Sequence, residues 1–94
     1  MPNAVSRIGD EDQTHCSVPI RIEGSLNVLC NGIPVSRQGD LNSIHDACND
    51  NNHQAPILTG SLNVFVNGIG LGSVGDTISG CTAVKEGSPN VFIN

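Results

Sequence analysis

The chain has 94 residues, a net charge of −5 and four basic side chains, and hydrophobic residues make up 37% of it. This length allows one domain, and the scarcity of basic and aromatic residues excludes a typical nucleic-acid-binding surface. Because the chain has only two aromatic side chains and eleven glycines, it can bury little apolar surface. We therefore expect a metal ion, a disulfide or a partner subunit to reinforce the fold.

The N-terminal segment and the apolar runs carry no membrane signal. Residues 1–13 read MPNAVSRIGDEDQ and lack the apolar middle of a signal peptide. No apolar run approaches the ~18 residues of a membrane-spanning helix. We therefore expect a cytoplasmic protein without a signal peptide, no spontaneous membrane insertion, and export only by another route.

A repeated sequence organises the chain. The segment AVSRIGD at 4–10 matches PVSRQGD at 34–40, and GSLNVLCNGIPVSRQGD at 24–40 matches GSLNVFVNGIGLGSVGD at 60–76. A third copy begins with GSPNVFIN at 87–94, and the N-terminal segment completes it. We predict a single domain over 1–94, with repeats at roughly 11–40, 41–76, and 77–94 completed by 1–10. Because the broken copy is whole only if the termini meet, we expect a compact all-β fold with pseudo-threefold symmetry.

Each copy has the pattern of a β-hairpin. The runs NVLCNG and NVFVNG alternate and end in Asn-Gly, which is typical of a tight turn. The alternation predicts six inward-facing side chains: Val28, Cys30, Val64, Val66, Val91 and Ile93. On the opposite face, Leu29, Phe65 and Phe92 either cover a second layer of core or form an exposed partner-binding patch. Residues 45–53, HDACNDNNH, could hold a turn of helix.

Potential metal ligands recur at one offset from the repeat. His15, His45 and Cys81 each follow the glycine of a Gly-Asp pair by six residues. The distances from that glycine to the next Gly-Ser glycine are 15, 21 and 12 residues, and the longest stretch contains His53. We predict that His15, His45, His53 and Cys81 bind a tetrahedral metal ion.

Other assignments of these residue types stay open. Cys16 could replace His15, Cys48 could replace His45 or His53, and the histidines could be ordinary surface or core residues. Cys30 occupies a core position and is expected to be an inert thiol. A disulfide is the weaker competitor, since the symmetry suggests no pairing.

The aspartates of the Gly-Asp pairs and the number of ligands bear on the kind of site. Asp10, Asp40 and Asp76 are expected to organise turns by accepting backbone hydrogen bonds. Four protein ligands would fill the metal's coordination sphere, so we expect a structural metal, no catalytic residue and no enzymatic activity. A small zinc-dependent hydrolase and an exported, disulfide-stapled binding module are the alternatives from other classes.

The repeated Gly-Ser-(Leu/Pro)-Asn-Val strand, the Asn-Gly to Gly-Asp segment and the three-histidine, one-cysteine set resemble the PAAR-repeat family. That family tips the spikes of bacterial type VI secretion systems and contractile phage tails. The resemblance covers essentially the whole chain. The Pro-Ala-Ala-Arg signature is imperfect: PVSR at 34–37 keeps proline and arginine, AVSR at 4–7 keeps arginine, and GLGS at 70–73 keeps neither.

The resemblance implies a pointed cone of three hairpin repeats with Zn²⁺ near its vertex, iron being the alternative metal. One such cone caps a trimeric VgrG-like spike protein, and Leu29, Phe65 and Phe92 are candidate contacts at its base. The cap would aid puncture of the target envelope and effector delivery, travelling out of the cell on the spike. Since the chain begins and ends at its repeat, we expect effectors to bind non-covalently or to travel on the spike. A phage tail-spike tip is the alternative.

Overall fold

The computed structural model, which describes residues 2–46, 48 and 52–94, shows an all-β protein. Within these described residues there is no helix, and so none that is long and apolar enough to cross a membrane. All the named strands are short: β1 (Asn3–Ala4), β2 (Leu29–Cys30), β3 (Ile33–Pro34), β4 (His45–Asp46), β5 (Asn52–His53), β6 (Phe65–Val66), β7 (Ile69–Gly70) and β8 (Phe92–Ile93).

The strands form antiparallel pairs, three of which lie at equivalent positions of the repeat. These three are β2–β3, β6–β7 and β8–β1. The last pair joins the two ends of the chain, with Asn3 opposite Ile93. In the other two, the turn residues Asn31 and Asn67 have φ of 56° and are followed by glycines that also have positive φ, as a two-residue hairpin turn requires.

Backbone hydrogen bonds connect the three copies in a closed ring. The N–H of Ser6 donates to Gly72 at 2.9 Å, that of Gly72 to Ser36 at 2.9 Å, and that of Ser36 back to Ser6 at 2.8 Å. Because each copy bonds to the next and the third returns to the first, the copies surround a common centre. The pointed cone outline stays a prediction.

The Gly-Ser motif of each copy is explained by close backbone packing. A Cβ atom built on Gly24, Gly60 or Gly87 would lie 2.6 Å or less from a carbonyl oxygen of a neighbouring segment. Any side chain there would push the two segments apart, so all three copies carry glycine.

A small apolar core lies next to the ring. Its buried members occupy two repeat positions: Val5, Val35 and Leu71 in one, and Cys30 and Val66 in the other. Val64 and Ile93 pack against them as partly buried side chains. The prediction of six inward-facing residues is wrong for Val28 and Val91, which are 37% and 40% exposed. The core of two-residue strands is too narrow to cover them.

Six fully buried side chains form a second layer, here called the mixed layer. Three of them follow the Gly-Asp glycine by three residues, and three precede the Gly-Ser glycine by three residues. None is more than 1% exposed. Backbone bridges join them in equivalent pairs, Asp12 with Val84, Asn42 with Arg21, and Ile78 with Ile57. One repeat position therefore holds polar residues in two copies and an apolar residue in the third.

Candidate metal centre

The insertion in the middle copy forms a hairpin that carries two histidines. Strands β4 and β5 pair antiparallel, and His45 lies directly opposite His53. Described residues at both ends of 45–53 are therefore extended. The helical turn considered for this segment falls on residues 47 and 49–51, which lie outside the described residues.

The segment carrying His15 is fastened to the same hairpin. The Ser17 hydroxyl donates to the carbonyl oxygen of Asp46 at 3.3 Å and accepts from its N–H at 3.0 Å. The N–H of His15 donates to the carbonyl oxygen of Ser17 at 3.0 Å. These bonds hold His15 close to β4.

The four predicted ligands lie together. One ligand atom from each of His15, His45, His53 and Cys81 falls within 4.8 Å of all the others. The Nε2 atom of His45 is 2.8 Å from that of His15 and 2.8 Å from that of His53, and it is 3.3 Å from the Cys81 sulfur. The His15 Nε2 atom is 3.0 Å from this sulfur and 3.4 Å from the His53 Nε2 atom.

Four ligand atoms this close together can share a single metal ion. With metal–nitrogen bonds of about 2.0–2.1 Å, tetrahedral nitrogen ligands stand about 3.3 Å apart, so the two separations of 2.8 Å would widen on binding. Hydrogen bonds do not account for the cluster, because the Nε2 atom of His45 faces three partners and offers only one lone pair or one proton. An ion at the centre satisfies all four atoms at once. The group can therefore hold a metal ion.

A backbone carbonyl selects the tautomer that His45 needs as a ligand. Its Nδ1 atom lies 2.7 Å from the carbonyl oxygen of Ser43. A carbonyl only accepts, so Nδ1 carries the proton and the Nε2 lone pair points into the cluster. Such an outer hydrogen bond is typical of metal-binding histidines.

The electrostatics of the cluster depend on burial and on the mixed layer next to it. Burial lowers the pKa of His53, and the nearby His45 and His15 lower it further. Burial raises the pKa of the Cys81 thiol, and a hydrogen bond from Asn42 opposes that rise. A bound cation would favour the thiolate much more strongly. The lowered pKa of His53 therefore favours the neutral imidazole that a metal binds, whereas the Cys81 thiolate depends on the bound cation.

The mixed layer beside Cys81 contains a buried ion pair that the sequence analysis missed. Arg21 Nη2 lies 2.9 Å from Asp12 Oδ2, and both side chains are fully buried. Asn42 donates to the same carboxylate oxygen at 3.1 Å. The sequence did contain a signal for this layer. Asp12 and Asn42 stand at the repeat position of the apolar Ile78, which indicates that this position is buried.

The structure overturns the expectation about the cysteines. Cys16 and Cys48 form a disulfide, with their Cα atoms 5.3 Å apart. The alternatives in which either replaces a histidine are therefore wrong. Cys16 follows His15, and Cys48 lies between His45 and His53. Once the histidines converge, their neighbours meet as well, although these cysteines are not equivalent in the repeat. Cys30 is a buried free thiol, as predicted.

The aspartates of the Gly-Asp pairs organise turns as predicted. Asp10, Asp40 and Asp76 each accept a hydrogen bond from the backbone N–H three residues earlier, at 2.7–2.9 Å.

Strands β2, β6 and β8 each present a large apolar side chain to solvent at an equivalent position of the repeat. Leu29, Phe65 and Phe92 are 57%, 60% and 53% exposed. The interpretation that they cover a second layer of core is wrong, and they form an exposed set at equivalent positions of the three copies. We call them the hairpin patch.

A comparison with known protein families finds a match to the second half of the chain. The family model described as the PAAR motif matches residues 49–94. This segment contains His53 and Cys81, while the fold supplies His15 and His45 from the other half. No curated protein matches the chain.

This match, over 46 of the 94 residues, supports a PAAR-repeat protein. This family consists of structural proteins associated with the spike tips of type VI secretion systems and contractile phage tails.

Proposed function

We propose that the protein is a metal-stapled tip that caps a trimeric, VgrG-like spike of a type VI secretion system, with one cap per trimer. The observation that carries this proposal is the hairpin patch. A trimer offers three identical contacts, and this chain offers three equivalent apolar side chains from one polypeptide. The family supports the same role. Piercing of the target envelope and transport of effectors would follow from riding on the spike.

The base contact is tested with trimeric spike protein. We expect a complex of one cap with three spike chains. Phe65→Asp removes apolar area and adds a charge at the patch, so we expect affinity to fall by about tenfold or more. Ile44→Asp is the control, because Ile44 is 67% exposed and precedes the metal ligand His45. Failure of the wild type to form the complex would exclude capping of that spike, and a phage tail spike is then the partner to test.

We further propose that the metal is Zn²⁺ and that it is structural. Three imidazoles and a thiolate form a common tetrahedral zinc set, and four protein ligands leave no position for a water molecule. Metal analysis should find about one zinc per chain in the wild type, and loss of it in His53→Ala and Cys81→Ser. Unchanged metal in both variants would make this ligand set untenable.

Cobalt substitution separates the structural site from that of a hydrolase. We expect the absorption spectrum of tetrahedral Co²⁺ with one thiolate ligand, unchanged by added anions. A spectrum that shifts with anions would show an exchangeable position and favour the hydrolase.

A further inference from the structure

Two of the three copies hold a guanidinium group at the same place. Arg7 Nε and Nη2 lie 2.9 and 3.0 Å from the two carboxylate oxygens of Asp10. Arg37 makes the same pair of contacts with Asp40, at 3.0 and 3.2 Å. Such bidentate pairs are the strongest geometry for an arginine and a carboxylate.

Each of these guanidinium groups also meets one oxygen atom from a neighbouring copy and one from its own copy. Arg7 Nη1 donates to the side-chain oxygen of Asn31 at 3.2 Å, and Arg37 Nη1 donates to that of Asn67 at 3.1 Å. A backbone carbonyl of the Gly-Ser motif, at Gly87 or Gly24, completes each set at 3.4–3.5 Å. Each guanidinium group is thus held by a carboxylate, an amide oxygen and a backbone carbonyl. We call this set of acceptors the receptor.

The middle copy keeps the receptor but has Ser73 at the arginine position. The equivalent acceptors are Asp76, Asn94 and the carbonyl of Gly60. The N–H of Ser73 donates to Asp76 at 2.8 Å, as in the other copies. Asn94 accepts from the Ser61 hydroxyl at 3.1 Å, as Asn67 does from Ser25 at 2.7 Å. The acceptors of the receptor are therefore present at this position, but the arginine is not.

A cavity lies at the corner formed by Ser73, Asp76 and Asn94, as one also does beside Arg37 and Asp40, so the missing cation rather than the open space sets this corner apart. The cavity at the Ser73 corner has a volume of about 510 Å³, and Gly60, Ser61, Asp76 and Asn94 are among its lining residues. In the described part of the chain, no arginine or lysine forms an ion pair with Asp76. Burial raises the pKa of this carboxyl, and hydrogen bonds from Ser73 only partly oppose that rise. A cation at the corner would stabilise the carboxylate.

We propose that the Ser73 corner is a binding site for an arginine side chain of a partner polypeptide. Arginine fits better than lysine, because the planar fork matches the carboxylate and leaves a further N–H for Asn94. A free cation would gain only the small energy of an exposed ion pair. An arginine on a polypeptide adds contacts of its neighbours with the rim, where Leu62 is 85% exposed. The site distinguishes one corner of a threefold-like molecule, so it would fix the orientation of a partner.

The probe is a capped Ala-Arg-Ala peptide added to the isotope-labelled, metal-loaded protein and followed by NMR. We expect saturable shifts confined to residues 59–63, 75–77 and 94. The same peptide with citrulline, which is uncharged and similar in shape, should cause none. Shifts of equal size with citrulline, or shifts spread over all three corners, would overturn the proposal. If guanidinium ion binds as tightly as the peptide, the claim that the arginine comes from a partner polypeptide is wrong.

Two variants test the receptor itself. Asp76→Asn should abolish the shifts, while Asp40→Asn, at a corner that already holds Arg37, should leave them in place. Ser73→Arg should fill the site from within, raise the thermal midpoint and abolish peptide binding. If Ser73→Arg folds and still binds the peptide, the proposal is wrong. If that variant does not fold, the Asp76→Asn and Asp40→Asn pair decides.

Discussion

The body of the molecule and its metal-binding end are held together in different ways. In the body, the ring of Ser6, Ser36 and Gly72 and the equivalent hairpins repeat the same contacts three times, and Cys30 is a free thiol. At the metal-binding end the copies diverge. One of them carries an extra hairpin, two of the cysteines form a disulfide, and four side chains gather that can hold a metal ion.

This difference shows where sequence divergence is tolerated. In the body each copy is the neighbour of the other two, so a change in one disturbs contacts with both. At the metal-binding end a cross-link can replace packing, and the middle copy can therefore carry an insertion. The mixed layer combines both behaviours. Its backbone bridges repeat in all three copies, but the side chains at equivalent positions differ in polarity.

Removal of the proposed metal ion is expected to have the largest effect on stability. Structural zinc contributes about 10–16 kcal/mol of binding free energy in small domains. Chelation should therefore lower the thermal midpoint by more than about 10 °C. Hydrogen exchange should show lost protection around His15, β4 and β5, with protection retained in the ring. Uniform loss of protection would mean that the two regions unfold as one and would break the comparison.

Breaking the buried ion pair should have the next largest effect. Arg21→Val leaves Asp12 buried without its partner and should lower the free energy of unfolding by about 3–5 kcal/mol. The double variant Asp12→Ile with Arg21→Val copies the apolar residues that the chain already uses at Ile78 and Val84. We expect it to be more stable than Arg21→Val alone, as measured by denaturant unfolding. A double variant that is less stable would show that the polar residues are required at that corner.

Loss of the disulfide should have a similar or slightly smaller effect. Cys16 and Cys48 are separated by 32 residues, and closing a loop of that length stabilises a fold by about 3–4 kcal/mol. The double variant Cys16→Ser with Cys48→Ser should lose that amount in chemical unfolding while still binding metal. Cys30→Val, which copies Val66, is the control and should change little. Loss of metal in the serine variant would show that the disulfide is needed to position the ligands.

A hairpin turn of the body should give the smallest effect. Asn67 has positive φ, and its side chain donates a hydrogen bond to Asn27 at 2.8 Å and accepts from Ser25 and Arg37 at 2.7 and 3.1 Å. Asn67→Ala loses these hydrogen bonds and adds strain, at a cost of about 1–3 kcal/mol. Asn67→Gly loses the same hydrogen bonds without the strain and should cost less. Equal thermal midpoints for the two variants would mean that the turn conformation does not limit stability.

The offset of the repeat made the fold class and the convergence of the four candidate metal ligands predictable. A candidate ligand stands six residues after each Gly-Asp glycine, and the longest interval supplied His53. The disulfide was not predictable in this way, because it joins positions that are not equivalent and one of them lies in the insertion. Val28 and Val91 were misplaced because alternation gives the face of a strand but not the width of the core behind it.

The mixed layer and the Ser73 corner show a different limit. The sequence displays Asp12, Asn42 and Ile78 at one offset, and Arg7, Arg37 and Ser73 at another. Their unlike chemistry hides the fact that they occupy the same place in space. Only the structure shows that Arg21 faces Asp12 and that Asp76 keeps the oxygen set of an arginine receptor.

The pairing of Asn3 with Ile93 has a consequence for engineering. Since the ends of the chain occupy the same place as the turns at Asn31 and Asn67, the polypeptide should tolerate circular permutation at either turn. Replacing Met1 and Pro2 with one glycine that joins Asn94 to Asn3 would recreate the two-residue turn of the other hairpins, and the chain could then be opened after Asn67. Cargo fused to the new ends would then leave from a different hairpin.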